Sequence, residues 1–264
     1  MKPIKSNLRL ILVNMEITLK SLSARPTWLI DNTIVPLIFT LVALFLFYLA
    51  ELDNFIPYAV FGSGIAGMWA TTLFGAGNSL RVERILGTLE YLLICPTGLW
   101  KNLFGRALAF SLLGLTVFGQ ALTLAVFVFN VPIIVSNSVV FVVAFLLTVV
   151  SFVALGMLLA PLFIIARSAP NLMNSLETLI LVFCGVTYPV SVLPPLFQIV
   201  SYTLAPTWGM EALRFTVSSI CLDGIVLRNV VIIICLTFIY LIFSKKLVNS
   251  IEKKVRLKGG LVRI

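Results

Sequence analysis

The sequence predicts an all-α polytopic membrane protein with six transmembrane helices. Of its 264 residues, 60% are hydrophobic and only 11% are charged, and the mean hydropathy is +1.12. A soluble core of this size could not bury so much apolar side chain. The apolar runs are continuous and do not alternate at every second residue, so a helical bundle is expected and a β-barrel is not.

Six apolar runs have roughly the 20 residues that cross about 30 Å of hydrocarbon. They are Leu29–Ala50, Phe55–Asn78, Leu103–Val131, Val139–Ala166, Leu172–Val190 and Ile225–Phe243. We therefore expect one transmembrane domain over residues 1–264. Residues 29–190 hold the first five spans, and residues 225–264 hold the sixth span and a basic tail.

The positions of the basic residues predict the orientation. All of the 19 Lys and Arg residues except Arg214 and Arg228 lie on one side of the predicted spans. Cytoplasmic segments are enriched in Lys and Arg, so both termini should face the cytoplasm, in a plasma (bacterial or archaeal inner) membrane. The net charge of +9 is then a topology signal. No nucleic-acid partner is expected, because no basic patch is interleaved with exposed aromatic residues on a soluble fold.

Residues 1–28 are predicted to form an interfacial amphipathic helix that lies on the lipid bilayer. The apolar stripe consists of Leu8, Ile11, Leu12, Met15, Leu19 and Leu22. Charged residues occupy the opposite face, which is typical of a helix in the membrane interface. A solvated arm is the alternative. No cleavable signal peptide is expected, because a continuous apolar core with a small-residue cleavage site is missing.

The segment Arg81–Leu103 is charged and separates two strongly apolar runs. Its charged positions include Glu83, Arg84, Glu90 and Lys101. Its apolar positions at helical spacing are Leu86, Leu89, Leu93 and Ile94. A helix with one apolar and one charged face suits a docking element better than a plain loop. We interpret this segment as a docking element on the cytoplasmic face.

The predicted fifth span carries a polar stripe. Asn171, Asn174, Ser175 and Thr178 recur at i, i+3, i+4 and i+7, and Glu177 lies beside them. A charged side chain in hydrocarbon costs about 3 kcal/mol on insertion scales. Glu177 should therefore lie near the interface, pair with a neighbour such as Arg167, or face a wet cavity. A pathway or dimer interface and a structural pair both remain open.

Residues 191–224 stay apolar but are too interrupted to cross a bilayer. The interruptions are Pro194, Pro195, Pro206 and Gly209, and the charged residues are Glu211, Arg214 and Asp223. Two short helices that re-enter the outer leaflet fit this pattern, provided that protein buries their irregular backbone. Such a hairpin would cap the outer end of a pathway. A partly ordered extracellular loop is the alternative.

Catalytic and metal-binding motifs are missing from the sequence. Histidine is absent, and Cys95, Cys184, Cys221 and Cys235 form no CxxC pair. No GxxxxGK[ST], HExxH or GxSxG motif occurs. We therefore expect no metal site, no bound cofactor and no intramembrane enzyme. A purely structural scaffold would leave the charged segment and the polar stripe without a purpose.

Two stretches of this chain resemble the membrane subunits of type-2 ATP-binding-cassette (ABC) exporters, the drug, polysaccharide and nodulation-factor class. ERILGTLEYLLICPTG, at Glu83–Gly98, is similar to the charged cytoplasmic segment of that family. LPPLFQIVSYTLAPTWGMEALR, at Leu193–Arg214, is similar to its Pro-rich outer region. Two departures are a missing acidic neighbour of Glu83 and Cys95 in place of a small or polar residue.

The resemblance implies that residues 81–103, hereafter the coupling segment, dock onto a separate ABC ATPase. Two ATPase copies would carry ATP and Mg²⁺, and a second permease copy or a paralogue would complete the transporter. The residues implied in docking or coupling are Glu83, Arg84, Gly87, Thr88, Leu89, Glu90 and Leu93. Gly87 and Thr88 would form a bend, because glycine tolerates backbone angles that other residues resist.

The resemblance also implies export of a hydrophobic or amphiphilic substrate, such as a drug, lipid, peptide or lipid-linked glycan. The pathway is expected between two permease copies, where the first, second and fifth spans line it. An ion-gradient-driven secondary transporter is the alternative. That class favours paired intramembrane charges and two similar halves, whereas this chain offers one candidate glutamate and no internal repeat.

Overall fold

Ten α-helices make up the described part of the chain. The computed structural model describes residues 2–23, 30–49, 56–94, 98–129, 137–166, 168–217 and 223–258. The helices are α1 (Lys2–Ser23), α2 (Val35–Leu49), α3 (Ile56–Ile85), α4 (Leu89–Ile94), α5 (Leu99–Phe127), α6 (Ser138–Ile165), α7 (Ala169–Phe183), α8 (Pro195–Thr203), α9 (Ala205–Val217) and α10 (Asp223–Lys258). A π-helical turn, Ile30–Ile34, precedes α2. None of these residues lies in a β-strand, which agrees with the predicted all-α class.

Three of the described helices, α5, α6 and α10, are long and apolar enough to cross a membrane. They correspond to the predicted third, fourth and sixth spans, and they support a polytopic membrane protein. Helix α3 has 30 residues, but its many small and polar residues lower its hydropathy. Helices α2 and α7 have 15 residues each, or about 22 Å at 1.5 Å per residue. The count of six spans therefore stays a prediction.

The predicted fifth span, Leu172–Val190, is wrong at its C-terminal end. Helix α7 stops at Phe183, and Gly185 takes a φ of 62° in the turn that follows. That left-handed conformation suits glycine and ends the helix. The apolar run continues past the turn, which is why hydropathy did not reveal the end of the helix.

Helix α3 lies at the centre of the bundle and contacts α2, α5, α6 and α7. Its Trp69 is fully buried and packs against Phe152 of α6, with the ring centroids 5.2 Å apart. A Cβ atom built at Gly75 would lie 2.0 Å from the Phe110 ring of α5. In lipid, the exclusion of water does not drive helices together. Close packing at small residues therefore holds them in contact.

The Pro-rich region after α7 forms two short helices, α8 and α9, as the sequence predicts. Pro194 and Pro195 begin α8, and Pro206 lies in the first turn of α9, where a missing N–H needs no partner. Helix α9 packs against α6 and α10. The Tyr240 hydroxyl of α10 donates to the Thr203 carbonyl at 2.6 Å. Tyr240 is about 25 Å along α10 from its first residue, so the α8–α9 junction lies deep beside that helix.

Helices from the two ends of the chain meet at the start of α5. Lys101 donates from Nζ to the Asn7 Oδ1 of α1 at 2.7 Å. Trp100 donates from Nε1 to the Ser244 Oγ of α10 at 2.9 Å. The described N-terminal helix and the C-terminal half of α10 therefore lie at the same end of the molecule.

Arg214 joins α9 to the turn that follows α7. Its guanidinium donates to the carbonyls of Gly185, Val186 and Tyr188, the latter two at 3.0 and 3.2 Å. These carbonyls follow the last turn of α7, where a positive charge is favourable. Arg214, assigned from the sequence to the outer cap, thus holds the turn that follows α7.

We expect Arg214→Lys to lower the free energy of unfolding by about 2 kcal/mol, because an ammonium cannot reproduce three divergent guanidinium contacts. Thermal unfolding of the purified protein in detergent measures the change. Arg228→Lys is the matched control, because exposed Arg228 stacks over the Trp208 ring at 5.9 Å and lysine can keep that contact. Equal effects of the two substitutions would contradict this role of Arg214.

Candidate functional site

The coupling segment consists of the last turn of α3, a tight turn, the short helix α4 and the start of α5. Residues 95–97, which include Cys95 and Pro96, lie outside the described residues. The segment is therefore not one amphipathic helix. Its described part joins α3 through a tight turn to α4, and the long helix α5 follows in the chain.

The turn between α3 and α4 forms at the predicted bend. Gly87 has a φ of 72°, its N–H donates to the Arg84 carbonyl at 3.2 Å, and the Thr88 N–H donates to the Glu83 carbonyl at 2.9 Å. This pair of bonds is the Schellman arrangement that ends helices at a left-handed glycine. The turn thus satisfies carbonyls that the last turn of α3 would leave open.

The Glu83 carboxylate points into the protein and joins three elements. One oxygen accepts a hydrogen bond from the Arg106 Nη2 of α5 at 2.7 Å, and the other accepts one from the Thr88 hydroxyl. The Arg106 and Glu83 side chains are only 18% and 21% exposed. Burial raises the pKa of Glu83, but the hydrogen bonds from Thr88 and Arg106 and the Arg106 charge outweigh it, so the pKa is lowered. Glu83 therefore stays ionised at neutral pH.

The other predicted coupling residues divide into a buried and an exposed group. Leu89 is buried against Leu80, Leu99 and Val248. Arg84 is exposed. The side chains of Glu90 and Leu93 lie outside the described part of the structure, although both residues belong to α4. Leu86, an apolar position in the sequence interpretation, is exposed, and it forms an exposed apolar surface around the turn with Ile85 and Tyr91, which that interpretation missed.

The C-terminal half of α10 supports the start of α5. The residue before α5 is Gly98, which has no side chain to cap the helix. Instead, Glu252 of α10 accepts a hydrogen bond from the Leu99 N–H at 3.3 Å. Val248, one turn away, is fully buried in the cluster that contains Leu89. The tail of α10 and the coupling segment therefore share one small core.

A cavity of about 950 Å³ lies beside α3 and is bounded by α1, α2, α5 and α7. Its charged lining residues are Glu83, Arg106 and Glu177, and its rings come from Phe39, Phe74 and Phe110. The cavity begins at the ion pair of the coupling segment and extends along α3 to Ser63, about 30 Å away at 1.5 Å per residue. Helices α2, α3 and α7 are the counterparts of the predicted first, second and fifth spans.

The polar stripe of α7 divides between two surfaces. Of its five described side chains, Glu177 alone lines the cavity. Asn171, Asn174, Ser175 and Thr178 are exposed, and the two hydroxyls donate to the carbonyls of Asn171 and Asn174. The proposed partner Arg167 lies outside the described residues. A role of the exposed stripe in a dimer interface stays a prediction.

We predict that Glu83 and Arg106 are energetically coupled by about 1–3 kcal/mol, as expected for a partly buried charged hydrogen bond. A double-mutant cycle with Glu83→Gln and Arg106→Gln, measured by thermal unfolding at pH 7, gives this value. The contribution should be full above the ordinary glutamate pKa of 4.5 and should be lost as the pH falls through the lowered pKa of Glu83.

The exposed pair Glu16–Lys20 of α1 is the matched control for this cycle, with N–O at 2.6 Å and side chains 61% and 75% exposed. Its coupling should be smaller than that of the Glu83–Arg106 pair, because solvent screens it. Equal coupling energies in the two cycles would exclude a structural role of the Glu83–Arg106 pair.

We predict that Gly87→Ala destabilises the turn by about 1 kcal/mol, because alanine disfavours a positive φ. An added Cβ would meet no atom within 4 Å, so the expected cost is conformational and not steric. Gly119→Ala in α5 is the control, since its Cβ also meets nothing and helical alanine is favourable. The thermal midpoint should fall for Gly87→Ala and hold or rise for Gly119→Ala; the reverse order would contradict the turn assignment.

Comparison with known families agrees with this architecture. The family model described as ABC-2 type transporter matches residues 9–218 of the chain. The match includes α2 to α9, the coupling segment and every residue that lines the cavity. None of the curated proteins matches the chain significantly. The chain therefore belongs to the ABC-2 type transporter family, as a membrane permease subunit.

Proposed function

We propose that this permease belongs to an ATP-driven exporter in the plasma membrane and moves a hydrophobic or amphiphilic substrate out of the cytoplasm. The observation that carries the proposal is the shared ion pair. Glu83 belongs to the coupling segment, Arg106 belongs to α5, and both line the cavity. A movement of the coupling segment is therefore transmitted directly to the wall of the candidate pathway.

A separate ABC ATPase would dock on the exposed part of the coupling segment. Leu86 and Tyr91 are 67% and 73% exposed, although each carries a large apolar surface. Aromatic and apolar residues at the centre of an interface supply most of its binding energy. In this proposal, two ATPase copies bind ATP and Mg²⁺, and closure of the ATPase dimer pushes on α4.

The proposed topology has six spans, with both termini in the cytoplasm and a re-entrant outer hairpin. The meeting of α1 and α10 at the start of α5 supports termini on one side. The bond between Tyr240 and Thr203 supports a hairpin that reaches deep into the bundle. Protein buries the inner face of α9. Irregular backbone at the depth of the lipid needs such cover, because its polar groups would otherwise lack hydrogen-bond partners.

A second permease copy or a paralogue would complete the pathway. Helix α2 exposes large apolar side chains, among them Phe39, which is also a cavity residue. The exposed polar stripe of α7 lies on the same helix as Glu177. A pathway between two copies would place these faces against each other, with the bilayer around the remaining apolar surface.

Copurification tests the ATPase partner. Tagged protein solubilised from its native membrane in mild detergent should retain an ABC ATPase chain with ATP hydrolysis. The double substitution Leu86→Ala/Tyr91→Ala should reduce the retained ATPase at least about tenfold, as loss of interface anchors does. Leu196→Ala is the control, because Leu196 is 78% exposed on α8 at the outer region.

Two outcomes would contradict the proposal. The first is a wild-type protein that retains no ATPase under conditions in which α8 and α9 remain folded. The second is transport that continues after ATP depletion and stops on collapse of the ion gradient. That result would favour the secondary transporter.

A further inference from the structure

The charges of the cavity do not cancel. Glu83 and Arg106 form a pair at 2.7 Å, so together they contribute no net charge to the wall. Glu177 is the third charged lining residue, and no described Lys or Arg side chain forms an ion pair with it. A carboxylate in an apolar wall is costly unless a cation or hydrogen-bond donors compensate it. The described wall therefore has an excess of negative charge.

The hydroxyl groups of the cavity add hydrogen-bond acceptors to this negatively charged wall. Each donates its proton to a carbonyl of its own helix, which leaves only acceptor lone pairs for a ligand. They belong to Thr18, Ser21, Ser63, Thr71 and Ser79. The Asn14 amide also donates one of its two N–H groups to a backbone carbonyl, of Leu10 at 2.9 Å, and its Oδ1 can accept a hydrogen bond. Most polar groups of this wall accept hydrogen bonds.

The rest of the cavity suits an apolar body. Phe39, Phe74 and Phe110 contribute aromatic rings, and about 950 Å³ is the volume of a site for a drug-sized molecule. Aromatic faces also attract cations. A ligand that matches this cavity therefore combines a hydrophobic part with a positively charged group that carries N–H donors.

We propose that the cavity binds an amphiphilic ammonium ion, with its N–H groups on Glu177 and on hydroxyl oxygens of the cavity wall and its hydrocarbon part on the phenylalanine rings. This inference deepens the proposed export function and rests on it for the identification of the cavity as the pathway. It assigns Glu177 as the residue that selects cations over neutral and anionic amphiphiles.

Equilibrium binding of radiolabelled dodecylammonium tests the assignment. The full permease, with any ATPase that copurifies, is placed in phosphatidylcholine nanodiscs at pH 7, and empty nanodiscs correct for partition into lipid. Dodecylammonium should bind saturably, dodecyltrimethylammonium should bind more weakly because it lacks N–H donors, and dodecanol and dodecyl sulfate should show no saturable binding.

Variants of Glu177 test whether binding depends on the charge of this residue and not only on correct folding. Glu177→Gln should weaken dodecylammonium binding at least about tenfold, as loss of a charged hydrogen-bond partner does. Glu177→Asp keeps the charge and should restore most of the affinity. Glu16→Gln is the matched control, because it removes an exposed carboxylate outside the cavity and should leave binding unchanged.

Saturable binding of dodecanol equal to that of dodecylammonium, or equal binding by wild type and Glu177→Gln, would overturn the proposal. Phosphatidylethanolamine added to the nanodiscs identifies the source of the ammonium. Competition supports a lipid headgroup as the ligand, and lack of competition supports a free amphiphile. The assay needs no ATPase, so a failed copurification and a failed binding test are distinguishable.

Discussion

The hydrogen-bonded ion pair between Glu83 and Arg106 is the interaction on which the geometry of the coupling segment depends. Each charge alone would be poorly compensated in a bundle whose other walls are apolar. Together they fix the last turn of α3 against α5, and through Thr88 they fix the turn that leads into α4. The orientation of the short helix therefore follows from an interaction outside it. The same pair closes one end of the cavity without adding net charge.

The bend of the coupling segment was predictable from the sequence, whereas its partners were not. A glycine followed by threonine after a charged helical turn carries a local signal, and the φ of 72° at Gly87 agrees with it. Arg106 lies in the predicted third span, and its pairing with Glu83 depends on how α3 and α5 pack. An arginine within an apolar run does signal that some anionic partner exists. The position of that partner depends on the tertiary packing of the helices.

Helix geometry explains the remaining differences. Successive residues rotate by about 100°, so Glu177 faces a different direction from Thr178, its neighbour in the predicted stripe. Hydropathy placed the end of the sixth span at Phe243, but α10 continues to Lys258. Ser244, Val248 and Ile251 recur on one face and pack against the coupling segment. That spacing is visible in the sequence, although the basic residues around it conceal a continued helix from any hydropathy window.

Helix α10 is a single element of 36 residues, or about 54 Å, against about 30 Å of hydrocarbon. Tyr240 donates a hydrogen bond to the α8–α9 junction, and Ser244 accepts one from Trp100 of the coupling segment; the two residues are one helical turn apart on α10. The α8–α9 hairpin and the start of α5 are thus attached to the same helix at positions about 6 Å apart. A rotation of α10 would therefore move both attachments together, so a displacement at the coupling segment would reach the α8–α9 hairpin through a single helix.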